Sequence, residues 1–378
     1  MERIYEGILF MIGSKIKSKI IKKLVFLKYA FELKHQTKLS SEKAMCVLKK
    51  FYPKEKPLFR QKNTTEPTVD LQIIVPIYNV EKYLDECICS LLNQKTEFTY
   101  RVVVVNDGST DGSGLILEKY KEHSLITTIQ QMNSGVSKAR NTALQRISGK
   151  YVMFVDSDDM LPENSIQSLL EVAYKYDAEI VEGGYQLFNS AEWGSICRHS
   201  DRITKCIGNE LFGYPWGKII RNDRLSDFCF PEGFLFEDTV MRTLLYPSCS
   251  TTYTIPDIVY YYRDNNFGIT RTSGDSPHCI DTFWMMKYCL EERVCRGQQL
   301  GLSDFEGYLF ACYRNWGRTR NMPLDVQESL FVLSCDLLNI YFNQFFKIYD
   351  GKYQRLLRAI ERRSFSAFLV IVRNWNIM

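Results

Sequence analysis

Four short apolar, β-prone runs each end abruptly in a polar cluster, and this alternation organises the middle of the chain. Leu71–Val75 breaks at Pro76-Ile77-Tyr78-Asn79. Arg101–Val105 is nearly all valine and breaks at Asn106-Asp107-Gly108-Ser109-Thr110-Asp111-Gly112. The weaker run Leu125–Gln131 leads into Asn133-Ser134-Gly135, and Tyr151–Val155 ends in Asp156-Ser157-Asp158-Asp159. Helical patterns lie between the runs. Within Glu81–Asn93, Leu84, Cys87, Ile88, Leu91 and Leu92 share one helical face; within Val136–Arg146, Val136, Ala139, Ala143 and Leu144 do the same. Strands alternating with helices of this length predict βαβ units, right-handed crossovers and a mostly parallel sheet flanked by helices. Such sheets bind ligands beyond the carboxyl ends of their strands, so all four polar clusters are expected on one edge.

The chemistry of the clusters is specific in kind. At a strand end Asp156 and Asp158 project from one side and Ser157 from the other. Two carboxylates there make a hard-oxygen site for Mg²⁺ or Mn²⁺, ions that usually arrive carrying phosphate oxygens. An isolated Asp-x-Asp is more often a solvated loop, but convergence with three other clusters favours a site. Pro76 sets a rigid turn and is expected to end its strand. Tyr78 offers a flat face for a base, or fills the core. Asp107 can accept the imide N–H of uracil or thymine, or serve as a turn residue. Asp159 is a candidate helix N-cap before Leu161-Pro162-Glu163.

Taken in order, Val75-Pro76-Ile77-Tyr78-Asn79, Asn106-Asp107-Gly108-Ser109-Thr110-Asp111, Asn133-Ser134-Gly135 with Ala139-Arg140-Asn141, and Asp156-Ser157-Asp158-Asp159 resemble the signature of family 2 glycosyltransferases. The resemblance covers roughly residues 71–270. It implies a GT-A fold, a Rossmann-like α/β sheet, and a nucleotide-sugar donor, most often UDP-linked. It also implies one divalent metal, Mn²⁺ or Mg²⁺. On this resemblance Pro76, Tyr78, Asn79, Asp107, Gly135, Arg140 and Asp156 bind the nucleotide-sugar, and Asp158, with Asp156, holds the metal. Arg140 either meets the diphosphate or buttresses the acids, and Lys138 is a weaker candidate for the diphosphate. Phe234-Leu235-Phe236-Glu237-Asp238-Thr239 resembles the catalytic acidic pair, with Asp238 as general base and Glu237 beside it. Apolar surroundings would make such a carboxylate a better base, while the bland reading is an acidic helix start. Tyr214-Pro215-Trp216-Gly217-Lys218 resembles the acceptor-binding Trp-x-Lys segment, in which Trp216 stacks on a sugar or fills the core. Tyr260-Tyr261-Tyr262-Arg263 with Gly268-Ile269-Thr270 resembles a further segment in which Ser often replaces Gly268.

The reaction implied by this resemblance is an inverting, single-displacement transfer onto a glycan or lipid-linked sugar in surface polysaccharide synthesis. The Gln-x-x-Arg-Trp motif of processive members is absent, which favours one sugar per encounter. A nucleotidyltransferase would normally need a glycine-rich basic loop where Pro76-Ile77-Tyr78-Asn79 stands. A sugar-nucleotide-binding module without catalysis would not need intact Asp158 and Asp238.

Charge adds a second theme. The net charge is +4, but residues 1–66 carry 16 Lys or Arg against 6 Asp or Glu, so the remainder is acidic and nucleic acid is a poor partner. The run Ile8-Leu9-Phe10-Met11-Ile12, and Ile20-Ile21 among Lys15, Lys17, Lys19, Lys22 and Lys23, read as an interfacial helix at an anionic membrane surface. Its charges follow the apolar run, unlike a signal peptide, and it is too short to span a bilayer. Arg355, Arg358, Arg362, Arg363 and Arg373 around Ala367–Val372 make a similar C-terminal segment. Both ends alternatively pack on the protein as solvated basic faces. The 12 cysteines lack zinc or disulfide-scaffold spacing and read as reduced thiols, which fits a cytoplasmic location, peripheral on the inner membrane face. The expected division is a basic helical arm over 1–69 and a catalytic domain over 70–272, with a helical C-terminal region over 273–378. Within the catalytic domain, 70–185 would form the nucleotide-sugar half and 186–272 the acceptor half. Long helices are expected over 279–300 and 327–348.

Overall fold

The computed structural model describes residues 14–189, 191–265 and 276–374, with side chains from residue 21 onward. The chain forms two compact units. One comprises 55–272 with 284–299, the other 1–54, 273–283 and 300–378.

The first unit is built on a mixed, mostly parallel sheet. Its strands are β1 (Thr64–Ile77), β2 (Tyr100–Asp107), β3 (Ile126–Gln131), β4 (Arg146–Phe154), β5 (Ile180–Phe188), β6 (Trp193–Cys197), β7 (Thr204–Cys206), β8 (Lys218–Arg221) and β9 (Thr252–Arg263). They run in the order β3-β2-β1-β4-β8-β5-β9-β7, with β6 paired to β5. β1, β2, β3 and β4 are mutually parallel, and β9 is parallel to β5. β8 is antiparallel to both β4 and β5. It therefore enters the sheet at the edge where β4 and β5 end. That edge collects the carboxyl ends of β1, β2, β4, β5 and β9 together with the loop before β8.

The helices of this unit are α1 (Leu84–Leu92), α2 (Ser113–Glu118), α3 (Val136–Leu144) and α4 (Ser165–Tyr176). Leu84, Cys87, Ile88 and Leu91 of α1 are fully buried with Ile73, Val75, Val102 and Val104 in one core, as the helical spacing predicts. β1 begins earlier than the apolar run suggests, because Thr64 and Thr65 already pair with Arg146 and Ile147. Pro76 does not end β1. Pairing with β4 stops at Ile74, and β1 continues along β2 through Pro76 and Ile77. The missing N–H falls where β4 is no longer a partner. Among 284–299, Tyr288 stacks on Trp284 and meets Phe234 edge-on, while Glu292 pairs with Lys56, Arg60 and Arg296.

In the second unit the basic arm is not an appendage. The helix Ser41–Phe51, capped by Ser40 Oγ, packs on Leu324–Phe342, and Ser14–Glu32 packs on Phe365–Arg373. Thr37 N–H donates to Arg363 O at 2.9 Å, and Ser364 Oγ to Glu32 O at 2.8 Å. The division expected at 69 thus falls near 54, and the arm joins the C-terminal helices. The expected long helices are observed as Asp281–Cys295, whose residues from Trp284 onward belong to the first unit, and Leu324–Phe342; the second unit also holds Leu302–Thr319, Gln354–Glu361 and Phe365–Arg373. The Ala367–Val372 run is largely buried, so its apolar residues belong to this core. Among the described residues no helix is long and apolar enough to cross a membrane.

Leu48 is fully buried on the Ser41–Phe51 helix. Leu48→Ala should lower unfolding stability by about 2–5 kcal/mol, the range for a large core truncation. Urea unfolding measures it, and no change in midpoint would mean that the arm is not packed.

Candidate active site

The loops after β1 and β2 are knitted together by side chains that accept from backbone N–H groups. Asn79, with φ +50°, accepts from Thr110 N–H at 2.8 Å, and its own N–H donates to Ser109 Oγ at 3.1 Å. Asp111 accepts from Glu81 N–H at 3.0 Å, and Glu81 accepts from Gly112 N–H at 2.6 Å. Tyr78 stands at this junction half exposed, at 50%. Its ring is therefore open to solvent instead of filling the core.

Asp107 is 2% exposed and works inside the edge. It accepts from Gln131 Nε2 at 2.7 Å, Ser134 N–H at 2.9 Å and Gly135 N–H at 2.7 Å. Gly135 then turns at φ +89° into α3. At Gly108, with φ +69°, a Cβ would come within 2.7 Å of Asn133 N, so only glycine lets the two loops approach this closely.

The acidic cluster after β4 is held by β9. Asp159 is buried; Tyr260 Oη donates to it at 2.7 Å and Arg263 N–H at 2.7 Å. It therefore does not cap a helix. α4 begins after Asn164, and Asp159 fastens β9 to the loop. Asp156 and Asp158 are half-buried. Asn265 Nδ2 donates to the Asp158 carboxylate at 3.0 Å, and Arg263 Nε to the Asp158 carbonyl at 2.6 Å. Burial raises the Asp158 carboxyl above its ordinary range; Asn265 opposes this and Asp156 adds to it. Arg263 also reaches Glu86 at 2.6 Å and lies over Tyr83 and Phe188 at 4.6 and 4.4 Å.

Arg140 links the acids after β4 to the second acidic pair. It is 3% exposed. Its guanidinium donates to Asp156 Oδ1 at 2.8 Å and Glu237 Oε1 at 2.7 Å, over the Phe230 ring at 5.1 Å. Burial works against its charge, but the two carboxylates outweigh burial and hold its pKa above the ordinary value. These two ion pairs are the contacts that the buttress reading expects. Lys138 is instead half-exposed and pairs with Glu232 at 3.3 Å. Glu237 and Asp238 follow Phe236, which is held at φ +61°. A bulky side chain in that region is strained, and the strain sets the direction of the turn that carries both acids.

The two acceptor candidates turn inward. Trp216 is 5% exposed. It lies parallel to Tyr214 at 4.4 Å and to Tyr260 at 4.5 Å, with Tyr262 at 5.3 Å and Tyr185 edge-on at 5.1 Å. With partners stacked along its ring it cannot also stack on a sugar, and it fills the core. Lys218 is fully buried, faces Glu182 across the β8–β5 register, pairs with it, and donates to Phe212 O at 2.7 Å. Burial lowers its pKa, opposed by Glu182. It is a cross-strand ion pair and not an acceptor ligand. Gly268, Ile269 and Thr270 lie outside the described residues.

Three positions were missed from sequence. Arg263 and Asn265 orient the Asp158 loop; the run Tyr260–Arg263 was the available signal. Glu182 was signalled by a lone acid in the apolar stretch Ile180-Val181-Glu182.

The edge therefore combines a half-open aromatic, a turn pinned by Asp107, a two-carboxylate strand end and a second acidic pair joined to it by one buried arginine. Part of this unit is similar to known proteins. Residues 72–225 match the family model "Glycosyl transferase family 2". Over these residues the chain is similar to that family. It is 46% identical over 277 residues to glycosyltransferase GlyA of Streptococcus pneumoniae, a match covering 63% of this chain and 40% of GlyA. It is 44% identical over 216 residues to EpsJ of Bacillus subtilis, an uncharacterized glycosyltransferase, covering 53% and 62%. The chain thus spans less than two thirds of these two relatives' own length. The structure of Staphylococcus aureus TarS residues 1–349 with UDP-GlcNAc superposes with a TM-score of 0.66 at 21% identity, covering 81% of this chain and 91% of that one. This is the fold that the family resemblance implies.

Arg140→Met removes the charge while roughly keeping the volume and leaves two carboxylates uncompensated. Stability should fall by about 3–5 kcal/mol, as when one partner of a buried pair is removed. Urea unfolding checks this, and a loss below about 1 kcal/mol would contradict the clasp.

Proposed function

We propose that this chain transfers one sugar per encounter from a nucleotide-sugar onto a glycan or lipid-linked acceptor, with inversion at the anomeric carbon. The observation that carries the reading is the Arg140 clasp, which joins Asp156 of the strand-end pair to Glu237 of the second acidic pair. Tyr78 would support the base and Asn79 and Gly135 the loops around it. Asp107 would shape the base pocket through the Ser134–Gly135 turn it holds, and UDP is the donor nucleotide; the TarS structure solved with UDP-GlcNAc supports that choice. The acceptor hydroxyl attacks the anomeric carbon as the carbon–oxygen bond to the diphosphate breaks. The bonding pair leaves with the diphosphate oxygen, and Asp238 takes the hydroxyl proton.

Among the described residues no three His, Cys, Asp or Glu converge as a metal site. The half-buried Asp158 and Asp156 nevertheless fit a cation that takes only one or two protein carboxylates and completes its shell with phosphate oxygens and water. Bound there, Mn²⁺ or Mg²⁺ would supply positive charge against the leaving diphosphate.

The test compares two variants. Asp158→Ala should lose transfer and the Mn²⁺ dependence of UDP binding in calorimetry. Asp238→Asn should still bind the UDP-sugar while transfer falls on the order of 10²–10⁴-fold, the usual cost of losing a general base. Unchanged metal dependence in the first variant, or near-normal turnover in the second, would overturn the respective role; in the second case Glu237 becomes the candidate base.

The arm supports a cytoplasmic enzyme peripheral to the inner membrane face. Leu24, Phe26, Leu27 and Phe31 are exposed on the Ser14–Glu32 helix beside Lys22, Lys23 and Lys28. Each basic residue near an anionic surface contributes about 1 kcal/mol, screened by salt, and apolar insertion adds a part that salt does not remove. Residues 1–13, including Ile8–Ile12, lie outside the described residues. The full chain should sediment with vesicles rich in acidic lipid in a salt-sensitive way, and the triple variant Leu24→Ser, Leu27→Ser, Phe31→Ser should sediment less. Equal sedimentation would refute the helix as a lipid contact.

A further inference from the structure

We propose that Trp193 is a stacking platform for a pyranose ring of the acceptor, placed beside the donor site by the β5–β6 hairpin. This rests on the reading of the chain as a glycosyltransferase acting on a glycan.

The argument begins with direction. β5 and β9 are parallel to each other, and β8 runs antiparallel to both β4 and β5. β5 and β9 therefore point the same way as β4, and their last residues, Phe188 and Arg263, reach the edge that carries Asp156 and Asp158. Trp193 pairs with Phe188 as β6 begins, so it is delivered to that edge as well. The turn is fastened locally: Asn189 Oδ1 accepts from Ala191 N–H at 2.8 Å and Glu192 N–H at 3.0 Å.

Contact continues inward from the ring. Trp193 meets Tyr261 at 4.6 Å and 62°, and Phe188 at 5.3 Å and 32°. Phe188 lies beneath the Arg263 guanidinium at 4.4 Å, and Arg263 Nε donates to the Asp158 carbonyl. Tyr261 exchanges two backbone hydrogen bonds with Met160, two residues beyond Asp158. The tryptophan is thus two side chains from the Asp158 loop and is supported by the buried Phe188 and the half-buried Tyr261.

It is nevertheless 56% exposed. A scattered exposed leucine needs no explanation, but a tryptophan held by its neighbours and left open beside a reaction site presents a large apolar face to incoming ligand. The apolar C–H face of a pyranose complements such an indole, and the ring's hydroxyls remain in water. The donor base already has Tyr78 on the β1 side of the same edge, so the β5–β9 side is left to the acceptor.

The test uses the full chain with UDP and Mn²⁺ on an array of pyranose oligosaccharides, with Trp193→Ala and Trp193→Phe beside the parent. Thermal melting of each variant checks folding. The parent should bind a subset of the sugars, Trp193→Ala should bind the same subset about tenfold more weakly, and Trp193→Phe, which keeps an aromatic face, should recover most of the loss. Equal binding by Trp193→Ala, failure of Trp193→Phe to recover any of it, or binding of UDP but of no sugar by the parent would overturn the platform. A change from dimer to monomer in Trp193→Ala would assign the ring to a contact between copies and also overturn it. If the parent neither binds UDP nor hydrolyses any UDP-sugar, the glycosyltransferase reading itself fails, a result distinct from loss of the platform alone.

Discussion

One buried cation organises this site. Arg140 sits on α3 and holds Asp156, at the end of β4, and Glu237, in the strained turn after Phe236. Each carboxylate alone would resist burial beside the other acids of the edge, and the guanidinium alone would resist burial on Phe230. Together they offset one another's desolvation, so removing the guanidinium leaves two uncompensated carboxylates. The fork geometry of arginine suits this task, because one planar group can reach two carboxylates from different loops. The two acidic pairs are thereby fixed relative to one another before any ligand arrives.

The remaining contacts extend the same principle. Polar side chains at the edge bind neighbouring backbone. Asp107 holds the Asn133–Gly135 turn, Asp159 holds the end of β9, and Asn79 and Asp111 hold the loops after β1 and β2. The antiparallel β8 then brings an aromatic stack onto this edge, with Tyr214 resting on the buried Trp216. In the second unit, the arm and the C-terminal helices share a core of their own.

The parallel half of the sheet was legible because its strands are continuous apolar runs with clear polar stops, and because Leu84, Cys87, Ile88 and Leu91 show the helical period without ambiguity. The polar clusters of the edge were legible for the same reason: they fall at or just beyond the ends of the strands. Direction and partnership were not legible. Lys218 looks like a ligand in one dimension, but its Glu182 partner is supplied by the β5–β8 register. Trp216 has a core-filling alternative on sequence grounds, and only the packing of Tyr214 and Tyr260 decides for it. Asp159 resembles a cap because its partners, Tyr260 and Arg263, lie about a hundred residues downstream. The positive φ of Phe236 has no sequence signal at all, since nothing in its side chain favours that conformation.

The most direct test of the central claim is a double-mutant cycle on Arg140→Met and Glu237→Gln, read by urea unfolding. If the guanidinium is the shared partner of two loops, the double variant should be less destabilised than the sum of the singles, with a coupling energy above about 1 kcal/mol. Additivity within about 0.5 kcal/mol would mean that the two groups do not depend on each other, and the site would need another organiser.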